Sequence, residues 1–95
     1  MKFSTVGKPV NFGKNSGIVE DDVSILEEYK DRDFIDLIQY IRWDDGGHGV
    51  RICYYVRNNK SKDEKWVFSN RPLSIAPRDF SRLLRKALKK KWFKA

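Results

Sequence analysis

FIDLIQYIRW (34–43), DDGGHG (44–49) and VRICYYVR (50–57) decide the fold, because the first run can be read in two ways. Phe34, Leu37, Ile38 and Ile41 match the spacing of a helical face. The next two runs settle the reading: a dense turn cluster, then β-branched and aromatic residues with alternating arginines. Two strands joined by a glycine-rich loop are more economical than a helix ending at Trp43. In the second strand Val50, Ile52, Tyr54 and Val56 share one face, and Arg51, Cys53, Tyr55 and Arg57 share the other. The alternation predicts a half-buried strand with a basic, aromatic second side.

On the N-terminal side, VSILEEY (23–29) reads as a strand and KDRD (30–33) as the polar turn before Phe34. On the C-terminal side, NNKSKDEK (58–65) is a charged loop and WVFSN (66–70) a fourth short strand. After the Arg71-Pro72 break, LSIA leads into a helix starting at Pro77, whose missing N–H costs nothing in a first turn. Phe80, Leu83, Leu84, Ala87 and Leu88 form an apolar stripe, while Arg78, Arg82, Arg85, Lys86, Lys89, Lys90 and Lys91 cover the remainder. Cations toward the C-terminal end also suit the helix dipole. The expected fold is α+β, a four-stranded antiparallel sheet followed by a C-terminal helix (ββββα). Residues 1–17 hold Gly7, Pro9, Gly13 and Gly17 among polar residues, with only Phe3, Val6, Val10 and Phe12 to anchor them. They read as a flexible basic arm with room for a short edge strand, ahead of a single domain over 18–95.

A chain of 95 residues forms one domain with a modest core, which a partner subunit would help, so a homodimer through the C-terminal helix is expected. Hydrophobic residues at 40% and charged residues at 35% place it among globular rather than disordered chains. The single cysteine, Cys53, reads as a small strand hydrophobe in a reducing compartment. No segment approaches the roughly 20 apolar residues of a membrane span, and Met1 to Gly17 lacks the apolar stretch of a signal peptide. The expected location is the cytoplasm or a nucleus. The net charge of +7 is uneven: residues up to Gly49 balance at −4 and those from Val50 at +11. Clustered Lys and Arg gain binding free energy by releasing counterions from a phosphate backbone, so a polyanionic partner is expected.

Aromatic faces stack on unpaired bases while neighbouring cations follow the phosphates, the general design of single-strand binding surfaces. On that pattern Arg42, Arg51, Arg57, Lys60, Lys62 and Lys65 are expected to meet phosphates, and Tyr40, Tyr55 and Trp66 to stack on bases. The core-or-surface choice stays open for Trp43 and Trp66. The partner is then single-stranded DNA or RNA, and the rival reading is a protein-interaction module that binds an acidic surface. No enzyme is expected. Glu28-Tyr29-Lys30 and Glu64-Lys65 superficially match the acid and lysine of metal-dependent nucleases, but the short spacing from Asp22 to Glu28 and the small chain argue against it. His48, with Asp44 and Asp45, falls short of a zinc ligand set. Neither GxGxxG nor GxxxxGK[ST] is present, and no cofactor or metal is expected.

YIRW (40–43), VRICYYVR (50–57) and RPLSIAPRDFSRLLRKAL (71–88), in that order, resemble the positive cofactor four family of transcriptional coactivators and its bacterial and phage relatives. The family shows a strand near an IR-aromatic element, a lysine-bearing loop, a G-I-S-L strand and a T/S-P-x-x-[FW]-x-x-L helix. Arg51-Ile52 or Val56-Arg57 stands for the first, Leu73-Ser74-Ile75 for the strand, and Pro77 with Phe80 and Leu83 for the helix. The likeness spans roughly residues 23–90. It departs at Arg71-Pro72, where the family tends to Lys-Gly, and at Ala76, where a capping Ser or Thr is usual. The resemblance implies a homodimer that binds single-stranded DNA on curved antiparallel sheets, with helices forming much of the dimer contact.

Overall fold

Among the described residues five strands succeed one another in space in the order they have in sequence, each antiparallel to the next, and a single helix comes last. The computed structural model describes residues 3–60, 65–69 and 72–93. The strands are β1 (Pro9–Phe12), β2 (Asn15–Glu28), β3 (Arg32–Trp43), β4 (His48–Asn58) and β5 (Val67–Ser69), and the helix is α1 (Pro77–Leu88). The α+β class stands, with one strand more than the four expected. FIDLIQYIRW is a strand, paired along its length with β2 on one side and β4 on the other. Among the described residues no helix is long and apolar enough to cross a membrane.

The added strand comes from the stretch read as an arm. Phe12 pairs with Asn15, so Gly13 and Lys14 form a tight turn in which Gly13 takes φ 61°, a left-handed value that favours glycine. β2 then runs for 14 residues, starting eight before Val23. It holds a bulge at Glu20: Val19 pairs with Ile41, but Asp21 pairs with Tyr40. The extra residue moves the strand's alternation to the other face. Val19 therefore packs with Val10 and Ile41, while Val23, of the same parity, packs with Ile25 and Ile38 on the opposite side.

On the helix side, α1 lies over β2 and β3. Leu83 and Ala87, fully buried, seat on Val23, Ile25 and Ile38. Burying a leucine in this way stabilises by about 2 kcal/mol. The helix starts without a side-chain cap at Ala76 and has Pro77 in its first turn. Beyond its last turn, Trp92 comes back to the sheet, where its Nε1–H donates to Asp21 Oδ2 at 3.0 Å and its ring stacks on Tyr40 at 5.3 Å.

The opposite face is covered by residues 3–8. Thr5 is fully buried and donates through both its N–H and its Oγ1 to Asp22 Oδ2, at 2.6 and 2.7 Å. Its Oγ1 accepts from Gln39 Nε2 at 2.9 Å, and Gln39 Oε1 accepts from Arg51 Nε at 2.8 Å. Gly7 N–H donates to Val19 O, and Val19 N–H donates to Lys8 O. The expected arm is thus bonded to the sheet, because Asp22 and Gln39 project from the covered face and buried polar groups need partners. Phe3 packs beside Tyr55 and Trp66, next to Ile35, Leu37 and Cys53.

Candidate nucleic-acid interface

Alternation along β4 places Arg51, Cys53, Tyr55 and Arg57 on one face, as the sequence predicts, but their burial is not what a ligand surface needs. Cys53 and Tyr55 are buried, Tyr55 at 7% exposure, while Val50 at 51% and Ile52 at 49% lie open on the helix side. The basic, aromatic side of the strand is the side that residues 3–8 cover.

Tyr55 is enclosed by Phe3 at 5.0 Å and Phe68 at 5.4 Å, with Lys8 Nζ 5.3 Å from its ring centre. Burial pushes its hydroxyl pKa up, and does the same to the Cys53 thiol, which disfavours the reactive thiolate. Arg51, bonded to Gln39, also lies over Phe68 at 4.9 Å. Arg57 pairs with the buried Asp33 at 3.0 Å and covers the Trp66 ring at 4.4 Å. Trp66 is half-buried against the Ile35, Leu37, Cys53 and Tyr55 cluster. Trp43, also partly buried, packs against Val10, Val19 and Ile41: its indole lies over Gly17 and Gly49, where an added Cβ would stand 2.9 Å from the ring.

The other expected contacts are dispersed. Tyr40 is on the opposite face from Tyr55, with His48 stacked on it at 4.6 Å and Trp92 at 5.3 Å. His48 Nε2 lies 3.2 Å from Glu20 Oε2, the carboxylate that also pairs with exposed Arg42 at 3.3 Å. Lys60 pairs with Asp31 at 2.9 Å, and Lys65 is exposed. Lys62 lies outside the described residues. Arg51, Tyr55, Arg57 and Trp66 are therefore brought together, largely through contacts with one another's neighbours; Tyr40 and Arg42 stand on the far side of the sheet.

The sequence reading assigned the helix to a dimer contact, yet its outer face carries a run of exposed cations. Arg82 pairs with Asp79 at 3.2 Å, Lys90 with Asp21 at 3.5 Å, and Lys86 donates to Ser24 O at 2.7 Å. Arg78, Arg85, Lys89 and Lys91 are exposed and make no ion pair among the described residues. A groove of about 540 Å³ between Phe3-Ser4 and α1 has Lys86, Lys89 and Lys90 on one wall and Asp22 on the other. Phe93, half exposed, ends the basic run with its ring 6.1 Å from Trp92.

A second site was missed. Asp36, mid-strand in β3, is fully buried, with neither carboxyl oxygen hydrogen-bonded to a donor among the described residues. Burial, and then Glu27 beside it, push its pKa up to about 8. An aspartate and a glutamine inside the apolar run FIDLIQYI were the available signal.

Among the described residues no group of three or more His, Cys, Asp or Glu side chains could hold a metal ion. Compared with known proteins, the chain matches no family model, no curated protein and no solved structure.

Proposed function

We propose that the protein binds single-stranded nucleic acid, holding the phosphate backbone along the outer face of α1 and its tail rather than on the sheet. The observation behind this reading is the run Arg78, Arg85, Lys89 and Lys91, exposed and without acidic partners among the described residues, which leads to the exposed ring of Phe93. Unpaired cations release counterions from a polyanion, whereas those already in ion pairs gain less. A ring at the end of a cationic track offers a base one stacking face, which a duplex does not need. Arg42 and Lys60 are already paired with Glu20 and Asp31, so the track on this reading does not include them. Arg51, Tyr55, Arg57 and Trp66 build the covered face on this reading. DNA over RNA rests on the motif-level likeness to the positive cofactor four family. The activity is binding, without catalysis.

Fluorescence anisotropy with labelled oligothymidine and with a duplex, across a salt series, tests it. The double variant Arg85→Glu, Lys89→Glu is expected to bind at least tenfold more weakly, with a salt slope smaller by about 0.7 per lost contact. Salt-insensitive binding, or a double variant that binds like the parent, rejects the helix surface.

A protein partner is the second reading, favoured by the apolar strip of Val50, Ile52, Val67 and Leu88, all roughly half exposed. α1 packs mainly on β2 and β3 and leaves Val50 and Ile52 of β4 about half exposed. A second copy of the chain is the partner this reading takes. Sedimentation velocity of the parent and of Ile52→Lys decides it, a monomeric parent ruling it out.

A further inference from the structure

The pocket around Asp36 shares no lining residue with the cationic track. It has a volume of about 380 Å³, and Glu27, Tyr29, Phe34, Asp36 and Tyr54 line it. Three rings make a corner: Tyr29 meets Phe34 edge-on at 5.5 Å, and Phe34 meets Tyr54 at 5.9 Å and 54°. Asp36 is at its base, wholly buried and with no N–H or hydroxyl donor among the described residues, and Glu27 is close enough to share its proton. In a chain of net charge +7, no described cation pairs with either Asp36 or Glu27. A buried carboxyl whose neighbour is another carboxylate is costly unless it is neutral or compensated. Aromatic faces around a carboxylate attract a weakly hydrated organic cation more than a small, strongly hydrated metal ion.

We propose that this pocket binds an organic cation, an ammonium or guanidinium group, seated among Tyr29, Phe34 and Tyr54 with Asp36 and Glu27 as its counter-charges. The groups that face Asp36 are Glu27 from β2, Tyr29 just beyond it, Tyr54 from β4 and Asp79 from α1, with Arg82 held on Asp79. All but Arg82 are acidic or neutral, so without a cation Asp36 keeps a proton, shared with Glu27, and its carboxyl pKa is pushed up to about 8. The cation replaces that proton. Affinity therefore increases with pH, by about tenfold per unit between pH 6 and pH 8, and levels off above.

The test monitors backbone amide shifts of the full chain by NMR while it is titrated with tetramethylammonium, butylammonium or methylguanidinium chloride. Sodium chloride is the control, and short Lys- or Arg-containing peptides form a separate arm. Saturable shifts at Phe34, Asp36 and Tyr54 that sodium does not produce, growing stronger from pH 6 to pH 8, are expected. Asp36→Asn should lower affinity at least tenfold and abolish the pH dependence. Tyr29→Ala, at a ring that is 57% exposed, should lower it severalfold. Free amines that bind as well as peptides identify a small-molecule cation; preference for peptides identifies a side chain of another protein. Shifts equal to those from sodium, or an Asp36→Asn variant that binds like the parent, overturn the proposal. So does binding seen only in Arg71→Gln: Arg71 precedes Pro72 in sequence and lies outside the described residues, and that result would mean the chain supplies its own cation.

Discussion

The two faces of the sheet are closed in different ways. On one, an amphipathic helix sets Leu83 and Ala87 on Val23, Ile25 and Ile38, and apolar burial holds it there. On the other, the short stretch of residues 3–8 has few apolar side chains and is held by a polar relay, Arg51 to Gln39 to Thr5 to Asp22, with Phe3 set beside Tyr55. A long amphipathic element can cover a face by hydrophobic burial alone, whereas a short polar one must be bonded to it. The helix face tolerates bare edges, at Val50 and Ile52, because its cover is local; the other face depends on its cover throughout.

Removing residues 1–8 tests that dependence with the largest effect. Loss of Phe3 burial and of the Thr5 bonds should destabilise the protein by about 4 kcal/mol, seen as a lower urea midpoint. A loss under about 1 kcal/mol would show that the two faces are closed independently of this segment.

The next effect falls on the helix side, at Asp36. Its folded pKa, raised from 3.8 to about 8, means that the folded chain keeps a proton which the unfolded chain gives up above about pH 4. Stability from this group is therefore fully present at low pH and is lost as pH climbs through 8. Between pH 6 and pH 8 the parent should lose about 2 kcal/mol relative to Asp36→Asn, read from urea midpoints at pH 6, 7 and 8. Parallel pH profiles for the two proteins would contradict a buried, protonated Asp36.

The smallest effects compare one arginine from each face. Arg57→Ala leaves the buried Asp33 with Asn59 as its side-chain partner among the described residues and should cost about 2 kcal/mol. Arg42→Ala, whose partner Glu20 is also exposed, should change stability by less than about 0.5 kcal/mol. Equal losses in thermal melts would erase the difference between the faces.

Much of the fold was legible, and less of the site. The alternation in VRICYYVR assigned every residue of that strand to its correct face, since side-chain period in a strand is two whatever surrounds it. The same alternation could not say which face would be covered. Tyr55 with its flanking arginines has the composition of a binding surface, and residues 3–8 turn it into core. Trp43 and Trp66 could not be placed from sequence because an indole suits core and surface equally; the two glycines beneath Trp43 come from other strands, Gly17 from β2 and Gly49 from β4.

Local chemistry alone determined the strand at 34–43, the turn at 44–47, the helix beginning at Pro77 and its apolar stripe. These depend on periodicity, turn residues and backbone constraints that neighbours in sequence impose. Tertiary structure decided the rest: the bulge at Glu20 that switches Val19 and Val23 to opposite faces, the bonding of Thr5 to Asp22 and Gln39, and the enclosure of Asp36 among three rings. Each joins residues far apart in sequence. Burial and the desolvation that comes with it belong to the covering partner as much as to the residue covered, and no single stretch of chain contains both.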